Sequence, residues 1–178
     1  GTWTLVDGAY VGNAGGEAPE PTCVEGGTAM LTSTRTGMLA SNVRVRARLT
    51  SITTADKVLV LRGVSTRTRL ELNFRANFDD EGSISGGDLV IQSLTDCVRT
   101  VHVAPGVVRI PHAATQSIDV EVELVGQDLT VNVDGAPIYS GQPLLAAPLP
   151  TGAGSVGFGV LRFGGSARFD NVVIEALE

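Results

Sequence analysis

The sequence predicts an all-β protein in which short antiparallel strands form a two-sheet sandwich or a barrel. Apolar and polar residues alternate with a period of two over several segments, which is the pattern of a strand with one buried face. Glycine pairs and Pro-Gly steps separate these segments and mark turns. No segment combines a helical period of apolar residues with capping residues. These three observations favour an antiparallel sandwich or barrel over any helical class.

Three segments, residues 42–50, 66–76 and 117–125, carry the alternation most clearly. Their apolar faces consist of Val43, Val45, Ala47 and Leu49, then Thr68, Leu70, Leu72 and Phe74, then Val120, Val122 and Leu124. Their polar faces consist of Arg44, Arg46 and Arg48, then Arg67, Arg69, Glu71, Asn73 and Arg75, then Asp119, Glu121 and Glu123. One-sided alternation of this kind is typical of half-buried strands in an antiparallel sheet.

The remaining predicted strands are shorter and alternate with turn signals. They cover residues 3–6, 9–11, 29–33, 57–62, 89–93, 99–103, 129–133, 138–140, 155–161 and 167–176. Gly86-Gly87 and Pro105-Gly106 are interpreted as breaks between strands, and Asp134-Gly135 as a tight hairpin turn.

Length and composition fit one domain that covers residues 1–178. A domain commonly has about 100–200 residues, and the 43% hydrophobic and 18% charged content disfavours disorder. The net charge of −6 disfavours nucleic-acid binding, because phosphate contacts need a surplus of basic residues. No apolar run approaches the about 20 residues of a membrane helix, so we expect no membrane insertion.

The two cysteines, Cys23 and Cys97, predict a disulfide bond, with two buried free thiols as the alternative. A disulfide forms and persists in oxidising compartments. We therefore expect a protein that is secreted or located at the cell surface.

Three stretches resemble the concanavalin A-like lectin and glucanase superfamily, which includes laminin-G-like domains. Residues 3–11 read W-T-L-V-D-G-A-Y-V, residues 118–138 read I-D-V-E-V-E-L-V-G-Q-D-L-T-V-N-V-D-G-A-P-I, and residues 154–174 begin G-S-V-G-F-G-V-L and end A-R-F-D-N-V-V-I. The resemblance implies an antiparallel jelly-roll β-sandwich with one concave sheet. Its members include sugar-binding modules, glycosidases, polysaccharide lyases and adhesion modules, so the fold leaves the function open.

The acidic strand Asp119, Glu121 and Glu123 is the candidate for glycoside hydrolysis. Neighbouring carboxylates on one strand face lie about 7 Å apart, a spacing that suits a catalytic carboxylate pair. The E-x-D-x-x-E string of laminarinase-like glucanases is missing, however, and no aromatic cluster accompanies the acids. The alternative is a solvated face that pairs with arginines of a neighbouring strand. We favour that alternative and assign no catalytic residue.

The polar row of residues 67–75, together with Arg62, is the candidate ligand-binding surface. The residues assigned to it are Arg62, Arg67, Arg69, Glu71, Asn73 and Arg75. Arginine forks favour carboxylates or acidic sugars. Aromatic platforms for sugar rings are few: Tyr10, Phe78 and Tyr139 are the candidates, whereas Phe74, Phe158, Phe163 and Phe169 are expected in the core. The alternative is that the row forms the ordinary outside of a sheet.

A structural calcium ion is the expected cofactor, because the resemblance implies one near the closing strand. Asp170 matches the aspartate of the F-D-N-V motif, and Asp7 or the backbone at Gly26-Gly27 would add oxygen ligands. The alternative is that Asp170 caps a turn or pairs with Arg168. A metal site at His102 and His112 is geometrically possible, but surface or packing histidines are favoured.

The sequence therefore predicts a binding module without catalytic activity. Carbohydrate is the first expected partner. A structural or adhesion module that binds a surface protein or copies of itself is the alternative, and a glycoside-active enzyme comes third.

Overall fold

A computed structural model describes residues 2–13, 30–34, 39–53, 55–65, 67–78, 84–110, 117–143, 152–161 and 165–178. The described part consists of 13 strands and the turns that join them, which confirms the all-β class. The strands are β1 (Thr2–Val6), β2 (Ala9–Asn13), β3 (Met30–Thr34), β4 (Asn42–Ser51), β5 (Asp56–Ser65), β6 (Thr68–Phe78), β7 (Ile84–Thr95), β8 (Val98–Ile110), β9 (Ile118–Val125), β10 (Asp128–Val133), β11 (Ala136–Pro143), β12 (Ser155–Leu161) and β13 (Ser166–Leu177). Among these residues there is no helix with the length and hydropathy that a membrane span requires.

The strands form two antiparallel sheets. Sheet A has seven strands in the order β1-β2-β13-β4-β9-β10-β11, and sheet B has six in the order β3-β12-β5-β6-β7-β8. Sequence neighbours pair as hairpins within each sheet, whereas β13 joins β2 to β4 and β12 joins β3 to β5. The result is a two-sheet jelly-roll β-sandwich, as the sequence predicts.

The core lies between the inward faces of the two sheets. It contains the apolar residues that the alternation predicts, among them Val45, Leu49, Leu72, Val122 and Val131, all fully buried. Leu59 and Ile91, from strands without a predicted alternation, are fully buried as well. Phe158 of sheet B and Phe169 of sheet A meet with ring centroids 4.9 Å apart, and Trp3 lies 5.7 Å from Phe169. These ring contacts connect the two sheets near β1 and β13, which lie on either side of β2 in sheet A.

Strands β7 and β8 are longer than the sequence predicts. Gly86-Gly87 and Pro105-Gly106 were interpreted as breaks, but both lie inside strands. Leu89 is opposite Val108 and Ile91 is opposite Val103, so residues 104–107 of β8 form a bulge facing a single residue of β7. The interpretation was wrong because a bulge uses the same residues as a turn: Gly106 has φ +79, a conformation that glycine adopts readily.

The central strands β5, β6 and β7 of sheet B are buried on both faces over most of their described residues, whereas the edge strand β8 is largely exposed. Seven consecutive residues of β5, from Asp56 to Arg62, are buried. The residues include Lys57, whose side chain is fully buried and lies opposite Phe74 of β6. Burial lowers the pKa of Lys57 to about 8, and attraction to Asp56 offsets part of that effect.

Gly154 marks a close approach of two backbones and should not tolerate a side chain. A Cβ atom there would lie 2.4 Å from the carbonyl carbon of Arg62, whereas a Cβ at Gly152 would meet nothing within 4 Å. We expect Gly154→Ala to lower the free energy of unfolding by about 1–3 kcal/mol. The matched variant Gly152→Ala should change it by less than about 0.5 kcal/mol. Urea unfolding of both variants measures this, and equal effects would contradict the close contact.

The buried Lys57 predicts a rise of stability with pH. Below pH 8 both the folded and the unfolded chain hold the lysine proton, so folding includes the full penalty of burying the charge. Between pH 8 and 10.5 the unfolded chain binds more protons than the folded chain, so the free energy of unfolding increases with pH. The increase is of the order of 3 kcal/mol, because one pKa unit corresponds to about 1.4 kcal/mol.

The measurement is urea unfolding across this pH range for the wild type and for Lys57→Met, which conserves the side-chain volume. The wild-type curve should rise relative to that of the variant. Parallel curves for the two proteins would show that the lysine is not buried as described.

Candidate functional site

The outward face of sheet B carries a group of neighbouring polar side chains, several of which are buried. Residues directly opposite each other in antiparallel strands project from the same face, so the register defines the set. This surface, called the polar face below, contains Asp56 of β5, Arg69, Glu71, Asn73 and Arg75 of β6, Asp88 and Gln92 of β7, and Arg99 and Arg109 of β8. Val58, Val60, Val90 and Val101 lie between them.

One half of the polar face is a continuous hydrogen-bonded chain across three strands. Arg69 donates its Nε to Glu71 at 2.6 Å, and the amide of Gln92 donates to the other carboxylate oxygen of Glu71. Arg99 in turn donates its Nε to the side-chain oxygen of Gln92 at 2.7 Å. Because both oxygens of Glu71 and the amide of Gln92 are engaged, this half of the face is held in a fixed arrangement.

The other half contains two buried acceptor oxygens without hydrogen-bond partners, next to an arginine that forms only long ion pairs. The Oδ1 atoms of Asn73 and Asp88 are buried and have no hydrogen-bond partner. The Nε of Arg75 lies 3.8 Å from Asp88 Oδ1 and 4.0 Å from Asp56 Oδ2, too far for a hydrogen bond to either. These three residues are called the unsatisfied cluster below. Buried polar groups without partners are rare, and each calls for an explanation.

The bulge of β8 fixes the position of Asp88. The backbone N–H of Gly106 donates to Asp88 Oδ2 at 2.6 Å, which leaves Oδ1 as the oxygen without a donor. The residues of the bulge are exposed, whereas Asp88 is only 2% exposed and Asn73 only 7%. The side chain of Arg75 is 29% exposed and lies between these buried acceptors and solvent.

The structure brings four of the six predicted ligand-binding residues together, namely Arg69, Glu71, Asn73 and Arg75. Arg67 is exposed in the turn before β6, and its carbonyl accepts the N–H of Cys97 at 3.1 Å. Arg62 is buried and donates its Nε to the carbonyl of Ser41, next to sheet A, at 2.7 Å, so its guanidinium links the two sheets. Alternation does not reveal five residues of the polar face, Asp56, Asp88, Gln92, Arg99 and Arg109. Asp56, Asp88 and Arg109 lie outside the predicted strands, and Gln92 and Arg99 share their strand faces with valines.

The acidic strand β9 pairs with arginines, as the alternative interpretation predicts. In the register of β4 and β9, Arg44 is opposite Glu123, Arg46 opposite Glu121 and Arg48 opposite Asp119, and each pair forms a salt bridge. Hydrogen bonds from Arg48 and Arg46 lower the pKa values of Asp119 and Glu121, respectively. A glycosidase general acid needs a raised pKa, so these two carboxylates do not fit that role.

A shallow depression of about 400 Å³ lies on the same outward face of sheet A. It is lined by Arg46, Arg48, Asp119, Glu121, Asn132 and Asn171, together with backbone near them. The charged residues lining it are already paired with one another. This depression therefore has no surplus charge that would recognise a ligand.

The predicted calcium ligand Asp170 accepts hydrogen bonds from its own strand in the structure. Asp170 accepts hydrogen bonds from Arg168 at 3.2 Å and from the N–H of Asn171 at 2.8 Å, which matches the alternative interpretation. Asp7 lies in the exposed β1–β2 turn, and Gly26-Gly27 lies outside the described residues. Within the described ranges, no group of three or more His, Cys, Asp or Glu side chains could hold a metal ion.

The remaining predicted residues have individual positions. Cys97 lies in the β7–β8 turn and is disulfide-bonded, whereas Cys23 lies outside the described residues, so their pairing stays a prediction. His102 lies in β8 with its Nε2 2.9 Å from Ser93 Oγ, burial lowers its pKa, and His112 lies outside the described residues.

The expected aromatic core is confirmed for three of its four members. Phe74, Phe158 and Phe169 are buried, and Phe163 lies outside the described residues. Of the expected platforms, Tyr10 is 42% exposed and stacks on Phe158 with centroids 6.4 Å apart, and Tyr139 packs against the core. The side chain of Phe78 lies outside the description. The polar face therefore has no described aromatic side chain on it.

Solved structures with the same architecture cover nearly the whole chain. Carbohydrate binding module CBM66 from Bacillus subtilis superposes with a TM-score of 0.66 at 14% identity, covering 99% of this chain and 92% of that one. A putative glycosyl hydrolase from Parabacteroides distasonis superposes with a TM-score of 0.60 at 13% identity, covering 99% and 83%. The GH43 protein BlXynB from Bacillus licheniformis gives a TM-score of 0.56 at 12% identity, and 35% of that longer chain is covered.

No protein-family model and no curated protein matches the sequence. At identities of 12–14% the likeness to these structures concerns the fold alone. The chain has the concanavalin-like jelly-roll sandwich fold that these structures share.

Proposed function

We propose that the protein is a carbohydrate-binding module without catalytic activity, and that it binds sugar at the unsatisfied cluster of Asn73, Arg75 and Asp88. The observation that carries this proposal is the pair of buried acceptor oxygens, Asn73 Oδ1 and Asp88 Oδ1, which have no donor. A folded protein seldom leaves such groups unpaired, because each costs about 1–3 kcal/mol. A ligand that donates hydrogen bonds would satisfy both oxygens.

A sugar has the chemistry that this cluster lacks. Each hydroxyl group donates one hydrogen bond and accepts others. Neighbouring hydroxyls can therefore donate to Asn73 and Asp88 and accept from the guanidinium of Arg75, which lies between Asp88 and Asp56 without a hydrogen bond to either. A purely acidic or purely apolar ligand would satisfy only part of this arrangement.

Access to the cluster is from the β8 side of the polar face. Asn73 and Asp88 are almost completely buried, so binding requires that the groups that bury them move. Arg75 is partly exposed, and Arg109 and the bulge residues beyond it are exposed. A ligand would therefore reach Asp88 past Arg75 and Arg109.

The comparisons support a sugar ligand without identifying one. One structure with this fold is named a carbohydrate binding module, another a putative glycosyl hydrolase, and a third a GH43 protein. A binding role is favoured here over hydrolysis because the acidic strand β9 is neutralised by arginines. We also propose an extracellular location, which the disulfide-bonded Cys97 supports. The structural calcium ion stays a prediction from the resemblance.

A module that binds protein is the second candidate, and the edge of sheet B favours it. β8 has a free edge, and Val98 and Val107 on it are each 69% exposed. Exposed apolar edge strands pair with other chains. Light scattering that shows a concentration-dependent dimer would support this second candidate.

Replacing Asn73 by leucine distinguishes a ligand-binding role from a structural one. If Asn73 serves a ligand, Asn73→Leu removes an unsatisfied oxygen, so the melting temperature should stay the same or rise. Binding to the polysaccharide that the wild type recognises should weaken about 10-fold, the equivalent of about 1.4 kcal/mol. Affinity electrophoresis against a panel of soluble polysaccharides, with calcium and with EDTA, identifies the polysaccharide that the wild type binds. The same experiment measures the affinity of the variant for it.

The matched control is Asn132→Leu, which removes an amide from the outward face of sheet A. It should leave the affinity unchanged. The proposal fails if no polysaccharide in the panel retards the wild type with or without calcium. It fails equally if Asn73→Leu binds as well as the wild type.

A further inference from the structure

On the polar face, the carboxylates are more deeply buried than the guanidinium groups at its rim. The three carboxylates are almost completely buried: Glu71 and Asp88 are each 2% exposed and Asp56 is 6% exposed. The side chain of Arg75 is 29% exposed, and Arg99 and Arg109 are exposed residues of β8. Among the described residues of this face, a ligand arriving from solvent therefore meets guanidinium groups before it meets any carboxylate.

The exposed arginines are not neutralised by ion pairs with described residues. Arg99 donates its Nε to a neutral amide, that of Gln92, and no carboxylate lies within salt-bridge distance of Arg99 or Arg109 in the described part of the chain. On sheet A, by contrast, Arg44, Arg46 and Arg48 all have carboxylate partners. The positive rim of the polar face thus stands out in a chain whose net charge is −6.

The rim is long enough for more than one sugar unit. Arg99 is opposite Leu94 and Arg109 is opposite Asp88, so the two arginines are separated by six residues of β7. At about 3.4 Å per residue this separation is about 20 Å along the strand. A single sugar ring cannot contact both guanidinium groups, whereas a polysaccharide lying along β8 can.

We propose that the ligand of this face is a polysaccharide containing uronic acids, which lies along β8 with its carboxylates on Arg99 and Arg109 and its hydroxyls on Asn73 and Asp88. The inference rests on the proposed carbohydrate-binding function and names its substrate class. A planar guanidinium binds a carboxylate through two parallel hydrogen bonds, which a neutral sugar cannot form. The buried acceptor oxygens of Asn73 and Asp88 still require hydroxyl donors. An organic acid without hydroxyl groups would therefore not satisfy the site.

The experiment compares polygalacturonate with the same polymer after full methyl esterification, which removes the charge and keeps the hydroxyls. Affinity electrophoresis and calorimetry should show at least about 10-fold tighter binding of the acid form, and this preference should decrease with added salt. Arg99→Gln and Arg109→Gln should each weaken binding of the acid form about 10-fold. Arg48→Gln removes the same charge from sheet A and should leave the affinity unchanged.

The other outcomes separate the two proposals. Equal binding of the acid and the ester, or binding only to an uncharged polysaccharide, overturns the uronate inference and leaves the carbohydrate-binding function standing. Dextran sulfate that binds as tightly as polygalacturonate, with Arg48→Gln weakening both, indicates general attraction of polyanions and also overturns it. Failure to bind any polysaccharide contradicts the proposed function itself. Melting temperatures of the variants show whether each of them is folded.

Discussion

The burial of the central strands of sheet B, β5 to β7, on both faces is the constraint on which the rest of the structure depends. The inward face of sheet B packs against sheet A, and its outward face also holds valines and polar side chains that are almost completely covered. A buried polar side chain must find partners within the protein or remain a source of instability. Most of this face meets the requirement through the chain from Arg69 to Arg99. The unsatisfied cluster does not, and it is therefore the part of the face that function has to explain.

Charged side chains are arranged differently on the outward faces of the two sheets. On sheet A, the arginines of β4 and the acids of β9 face each other strand to strand, and the pairs are accessible to solvent. Exposed pairs of this kind contribute little to stability and leave no net charge for a ligand. On sheet B, acids lie deep and arginines lie at the rim, so charges of opposite sign are separated. The same residue types thus form a neutral surface on one sheet and a positive rim on the other.

The sequence was sufficient for features that depend on a period of two. The faces of β4, β6 and β9 follow from alternation, and so does the grouping of Arg69, Glu71, Asn73 and Arg75. The bulge of β8 was not predictable, because Pro105-Gly106 occurs equally in turns and in bulges. Asp88 was missed for the same reason: its position opposite Arg75 depends on a strand that continues through Gly86-Gly87. Alternation shows which face of a strand a residue lies on, but not how deeply that face is buried. The burial of Glu71 and Asn73 could therefore not be derived from it.

The scarcity of aromatic residues acquires a physical meaning from this arrangement. Stacking on an aromatic ring lets an exposed surface bind sugar without ordered polar partners, but the rings of Phe74, Phe158 and Phe169 are in the core and Tyr10 stacks on Phe158. A sugar site without exposed rings has to obtain its affinity from hydrogen bonds. Such bonds contribute most where the protein groups are already desolvated and unpaired, because the penalty of burying them is already included in the folded state. Asn73 and Asp88 meet this condition, since their free oxygens are buried before any ligand arrives. If the polar face binds sugar as proposed, these two acceptors would contribute the affinity that an aromatic platform contributes elsewhere.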